Sequence, residues 1–192
     1  MKKLVILAAL CAAFPAYADR NGDGDRLFAR LTGYEEVPSV STPASGEFKA
    51  TISRDEGMIE YELSYSGLQN TTPGVSQAHI HFAQRGVNGS IVLWLCQTPG
   101  TPAPAAVAAL TPQCPQSGTV SGTLTAANVI AATTTSQLIL AGELAEVIAA
   151  IRAGRAYVNV HALPLNGGGE IRGQIRDNRG RGHDDRGHGP HH

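Results

Sequence analysis

Three histidines of this chain stand where strand geometry can gather them. His79 and His81 are two residues apart, and His161 lies far downstream. In an extended strand successive side chains point to opposite faces, so Gln77, His79 and His81 share one side while Ala78, Ile80 and Phe82 share the other. The same alternation groups Tyr157, Asn159 and His161 against Val158, Val160 and Ala162. The aliphatic sides belong in a core, which turns all three imidazoles away from it. If the two strands are neighbours, the imidazoles converge on one polar patch. Imidazole nitrogen suits copper, zinc, iron or nickel, and three such donors with an open position form a metal site. The alternative is structural: outward histidines that hydrogen-bond loop carbonyls across the sheet.

Other residues could join or modify this chemistry. Glu170 and Arg172 alternate with Ile171 and Gly173, so both are expected on the polar side. Arg172 either pairs with an acid such as Glu170 or orients an anion. Glu35 and Glu36 precede Val37-Pro38 and read as solvated charges, with reach to the site as the alternative. Four further histidines, His183, His188, His191 and His192, lie in a final stretch mixed with Arg, Gly and Asp, where they could capture metal weakly. The single Trp94 sits between Leu93 and Leu95 and reads as core. No Gly-x-Ser-x-Gly elbow, Gly-Lys-Ser phosphate loop or His-Glu-x-x-His helix is present, so those hydrolase, nucleotide-binding and metalloprotease classes find no support.

The N-terminus sets the compartment in which this chemistry is expected. Lys2 and Lys3 precede an apolar run from Leu4 to Ala13, and Ala16-Tyr17-Ala18 offers a small-x-small cleavage pattern. The run is too short to span a bilayer, which takes about 20 residues. Residues 1–18 are therefore expected to be a cleaved signal peptide and the protein to be periplasmic or secreted, without a membrane anchor. Cys11 follows Leu10, the wrong order for a lipobox. Removing Lys2 and Lys3 takes the formal net charge from −1 to −3, which gives no basic footprint for nucleic acid. Cleavage leaves Cys96 and Cys114, most simply a disulfide in an oxidising compartment. A two-thiolate metal site is the alternative. The intervening Gln97 to Gln113 is rich in proline and alanine, with little reason to fold alone.

The elements that must position these residues are short strands. Residues 19–26 read as a flexible leader whose alternating acids resemble a calcium loop but lack its closing glutamate. Strands are expected at Leu27 to Leu31, Gly46 to Ile52, Met58 to Tyr65, Val75 to Ala83, Ser90 to Leu95, Gly118 to Leu124, Ala156 to Ala162 and Glu170 to Arg176. The second and third form a hairpin around Asp55-Glu56-Gly57. In the third, Ile59, Tyr61, Leu63 and Tyr65 share one face against Glu60, Glu62 and Ser64. A short turn is expected at Thr125 to Asn128, and a helix at Gly142 to Arg152, where Leu144, Val147, Ile148 and Ile151 recur at helical spacing and Gly154 ends the run. The pattern predicts an all-β fold, an antiparallel Greek-key β-sandwich or barrel with one or two short helices. Residues 177–192 hold almost no apolar side chain and read as a disordered tail.

Several segments together resemble the CHRD domain, a module named after chordin and found in secreted bacterial proteins. They are Leu31-Thr32-Gly33-Tyr34-Glu35-Glu36-Val37-Pro38, Ala78-His79-Ile80-His81 with Gly86 and Gly89, and Tyr157-Val158-Asn159-Val160-His161 with Gly169-Glu170-Ile171-Arg172-Gly173-Gln174. The likeness runs from about Phe28 to Ile175 and implies an extracytoplasmic β-sandwich. Chordin's growth-factor antagonism is not carried over, because this chain lacks chordin's cysteine-rich repeats. A second, local likeness concerns chemistry. The His-x-His strand, the later strand ending in His and the glycine turn leading to Arg are similar to the copper half of copper-zinc superoxide dismutases. That likeness implies copper ligands at His79, His81 and His161 and an anion-guiding Arg172. The zinc loop, the bridging histidine and the fourth copper histidine of those enzymes have no counterpart in the domain.

Three functions are consistent with these residues. The first is a non-catalytic exported module that binds a metal ion, copper before zinc, through His79, His81 and His161. The second is a metal-free adhesion or protein-interaction domain. The third is a copper-dependent oxidoreductase acting on superoxide, with Arg172 supplying positive charge.

Overall fold

The period-2 runs of the sequence form one antiparallel, barrel-like sheet in the computed structural model, which describes residues 24–69, 74–133, 135–164 and 166–178. Strands β1 (Asp25–Thr32), β2 (Ser45–Ile52) and β3 (Ile59–Ser66) make a meander, followed by β4 (Gly74–Phe82) and β5 (Ser90–Cys96). Then come α1 (Ala105–Ala108), β6 (Gly118–Leu124), α2 (Leu144–Arg152), β7 (Ala156–Leu163), β8 (Asn166–Gln174) and β9 (Arg176–Asp177). The strand order is β5-β4-β7-β8-β1-β2-β3-β6, with β9 beside β1. The sheet nearly closes: Tyr61 of β3 donates its hydroxyl to the Leu95 carbonyl of β5 at 2.6 Å.

The interior is built from the faces that alternation selects. Leu27, Ala29 and Leu31 of β1 meet Phe48, Ala50 and Ile52 of β2 and Ile59, Tyr61, Leu63 and Tyr65 of β3. Ala78 and Ile80, Val158 and Val160, and Ile171 come from the other half, and Leu144, Val147, Ile148 and Ile151 of α2 join the same cluster. Burying such a face is the dominant favourable term in folding. The disulfide Cys96–Cys114 forms, and both sulfurs belong to buried residues. It fastens the segment after β5, which is more ordered than its composition predicts. Gln97 donates its amide to the carbonyls of Ala108 and Thr111, and Ala103 donates its backbone N–H to the Gln97 side-chain oxygen. These bonds explain why a proline- and alanine-rich stretch holds a defined path.

The limits of the domain differ slightly from the sequence expectation. β1 starts at Asp25, inside the expected leader, because Asp25 pairs with Ile52 and takes a 2.6 Å ion pair from Arg152 of α2. β9 carries order to Asp177 by pairing with Leu27. The expected signal peptide, most of the leader and the histidine-bearing tail lie outside the described residues. No helix among the described residues is long and apolar enough to cross a membrane.

Candidate metal centre

The two histidine strands are hydrogen-bonded neighbours. β4 and β7 pair antiparallel with His79 opposite Asn159, His81 opposite Tyr157 and Gln77 opposite His161. The three imidazoles therefore share the outer face of the sheet, as alternation requires. One nitrogen from each lies within 4.8 Å of the others. A metal with Zn–N-like bonds of about 2.0–2.1 Å asks its ligand nitrogens to approach to roughly 3.5 Å, so small side-chain movements suffice to close the site.

The patch is not a wet surface. His79, His81 and His161 are 0%, 8% and 6% exposed. The ring of Trp94 on β5 stands edge-to-face against His79, with centroids 4.2 Å apart. Trp94 itself packs with Ala103 and Val107 in a small cluster separate from the main core. Thus the disulfide-held segment packs on Trp94, which in turn walls the histidine cluster. Trp94 is buried, as the sequence implied, but on the site side of the sheet.

Each histidine has a fixed tautomer or a short list of them. His81 Nδ1 lies 2.9 Å from the Gly89 carbonyl and His161 Nδ1 lies 2.9 Å from the Gly167 carbonyl. A carbonyl only accepts, so both Nδ1 atoms carry the proton and both Nε2 atoms present a lone pair. His79 Nδ1 approaches His161 Nε2 at 3.2 Å and donates to it. The Nε2 atoms of His79 and His81 are then buried with no hydrogen-bond partner. Such orphaned acceptors are costly unless something pairs with them. Backbone carbonyls that hold the far nitrogen of a histidine are the usual outer shell of a metal site. Burial holds all three imidazoles neutral, His81 at a pKa of about 4 and His79 and His161 below the ordinary value.

Gly89 is needed for this arrangement. A Cβ there would collide with the Phe82 carbonyl, so only glycine lets the loop lie close enough to offer its carbonyl to His81. Gly169 has φ of +119°, and its missing Cβ leaves the space in which the Glu36 carboxyl and the Asn159 amide meet.

Around the imidazoles stand residues that sequence reasoning treated lightly. Asn159 stands on β7 opposite His79, with its side-chain Oδ1 3.1 Å from His161 Nε2. The lone pair of that nitrogen already takes the His79 Nδ1–H, so the Asn159 oxygen makes a close approach and not a second hydrogen bond, and the amide N–H is directed towards Glu36. Glu36 is buried, only 5% exposed, rather than solvated. Burial pushes its carboxyl up to about 7, partly opposed by Arg172, by the Val37 backbone N–H and by Asn159. Glu35 behaves as expected and pairs with Arg85 at 3.0 Å near the surface. The face periodicity that places His161 on the site side places Asn159 there too; an amide simply carries no metal-ligand signal of its own.

Arg172 is 1% exposed and does not pair with Glu170. Its guanidinium lies 3.4 Å from the centre of the Tyr157 ring and donates to Asn88 Oδ1 at 3.0 Å and to the Val87 carbonyl at 2.8 Å. The same tyrosine ring stacks on His81, with centroids 4.7 Å apart. Two planar groups cannot occupy one face at these distances, so Tyr157 is sandwiched between His81 and Arg172. Glu170 instead accepts from the Thr42 hydroxyl at 2.6 Å and the Gln69 backbone N–H at 3.1 Å, tying two loops together.

The fold and site thus define a disulfide-bonded β-barrel-like domain with a buried histidine cluster on its outer face. The chain matches the model of the CHRD domain over residues 27–175 and belongs to that family. No curated protein and no solved structure matches it. Family membership and the disulfide are compatible with an extracellular location.

Proposed function

We propose that this chain is an exported, non-catalytic metal-binding module that holds one transition-metal ion, copper before zinc, through His79, His81 and His161. The observation that carries the reading is the pair of orphaned, buried Nε2 atoms on His79 and His81 beside a third imidazole whose far nitrogen is fixed by a carbonyl. A purely structural histidine cluster gains nothing from burying unpaired acceptors. The superoxide-consuming reading draws less support, because the Arg172 guanidinium is committed to Asn88, Val87 and Tyr157. A periplasmic or secreted location fits the signal-like N-terminus and the disulfide.

The test is metal stoichiometry on the full mature chain after loading with Cu(II), with Cu(I) under reducing anaerobic conditions, and with Zn(II). The comparison variants are His79→Gln, His161→Gln and a chain in which His183, His188, His191 and His192 are all alanine. One ion per chain, retained in the tail variant and lost in the two domain variants, is the expected result. Binding that survives in the domain variants, or that vanishes only with the tail histidines, overturns the reading in favour of a metal-free module. Circular dichroism melts establish that each variant folds.

A further inference from the structure

The shell around the three histidines says more than that a metal fits. Among the described residues no carboxylate or thiolate belongs to the ligand group; its donors are three neutral imidazoles. The nearest buried acid, Glu36, reaches Asn159 and not the histidines. The nearest buried cation, the Arg172 guanidinium, lies just behind the Tyr157 ring that stacks on His81. Beside them stand the neutral Asn159 amide, 3.1 Å from His161 Nε2, and the rings of Trp94 and Tyr157, with Ala103 and Val107 behind Trp94.

Charge then separates the candidate ions. The cost of stripping an ion of water grows with the square of its charge, so a divalent ion pays roughly four times what a monovalent ion of similar size pays. A divalent ion on three neutral imidazoles keeps its full charge and completes its shell with water or hydroxide, and this site offers no anion from its own ligand group. It also places a fixed positive charge one ring away. Coordination number points the same way. Three convergent nitrogens satisfy an ion that accepts trigonal coordination, whereas zinc in closed sites is almost always four-coordinate. Monovalent copper meets both conditions. Imidazole is a good donor for copper, and the single charge of Cu(I) lets it settle for two or three ligands where zinc seeks a fourth.

Resting on the metal-site reading above, we infer that this site selects Cu(I), held by His79, His81 and His161 in trigonal coordination, over both Cu(II) and Zn(II). Trp94 provides the reporter. It is the single tryptophan of the chain and its ring contacts His79, so occupation of the site alters its fluorescence.

The test uses the full mature chain carrying alanine at His183, His188, His191 and His192, handled anaerobically. Cu(I) is titrated in competition with bicinchoninate, while Cu(II) and Zn(II) are titrated against chromophoric chelators of known affinity. Trp94 emission is followed throughout. The expected result is one Cu(I) per chain, with a change in Trp94 emission that saturates at that ratio and with affinity at least about 100-fold above either divalent ion. Equal or tighter binding of Cu(II) or Zn(II), lost in His79→Gln, overturns the inference while leaving the three-histidine site standing. Binding of none of the three ions, or binding unchanged in His79→Gln and His161→Gln, overturns both. Because wild-type selectivity is measured directly, the inference stays falsifiable even if a variant fails to fold.

Discussion

Replacing Glu36 with glutamine should change how stability depends on pH. In the folded metal-free protein the carboxyl is pushed up to about 7 by burial, against an ordinary value of 4.5. Between those two values the folded state binds the proton more readily than the unfolded chain, so stability falls as pH rises through that window. It is fully present below pH 4.5, declines towards pH 7 and levels off above. At about 1.4 kcal/mol per pKa unit, ionising Glu36 inside the fold costs on the order of 3 kcal/mol. Glutamine keeps the shape and the contact with Asn159 but cannot ionise. Urea denaturation of wild type and Glu36→Gln, both in excess chelator, should give a stability difference that grows by about 3 kcal/mol in favour of the variant from pH 4.5 to pH 8. Parallel profiles would refute the reasoning. They would mean that Arg172 keeps the carboxylate ionised across the window and that the field of the buried guanidinium outweighs burial.

Four other variants follow from the same geometry. The buried imidazoles act with the opposite sign to Glu36: His81 is pushed down to about 4, so its contribution is complete above pH 6.5 and is lost as pH falls towards 4. His81→Gln should therefore flatten the acid limb of the urea-measured stability profile by about 3 kcal/mol. Gly169→Ala places a Cβ against Glu36 and Asn159 at a φ of +119°, and should lower stability by about 1–3 kcal/mol in thermal melts. Gly86→Ala, at φ +75° with open space around it, should cost less. Changing both Cys96 and Cys114 to serine should lower guanidinium-measured stability by about 3 kcal/mol through the chain entropy of the closed loop. It should also raise the exposure of Trp94 to acrylamide quenching, since the segment lying on that ring loses its fastening.

Much of the fold was legible because strands such as β1, β2 and β3 expose one face and bury the other. The Ile59, Tyr61, Leu63 and Tyr65 alternation fixed both the existence and the inward side of β3, and the apolar spacing from Leu144 to Ile151 fixed α2. The pairing of the two histidine strands was legible only as a condition, since nothing local to either strand names its partner. Burial of the histidine face was illegible for a different reason. It depends on loops, and the segments around Gly89 and from Gln97 to Gln113 have no periodicity to show which surface they cover. Helix α1 escaped because four residues between prolines carry no helical pattern. Residue type alone places Glu36 in solvent, an expectation that fails where a neighbouring guanidinium and amide are buried with it. Histidine spacing brought the right three rings together; it said nothing about the Tyr157 ring between His81 and Arg172.

The strand order also has a temporal side. β7 and β8 come late in the chain yet sit in the middle of the sheet, between β4 and β1. Without them the earlier strands form two ladders, a β4–β5 hairpin and the β1–β2–β3–β6 meander, that meet at one end only through side-chain contacts such as Tyr61 on the Leu95 carbonyl. The β7–β8 hairpin is the keystone that joins these pieces and brings in Tyr157, His161 and Arg172. A chain emerging N-terminus first therefore holds no histidine pocket until almost its whole domain has appeared. Contacts this distant in sequence close slowly, which places the assembly of the pocket at the end of folding.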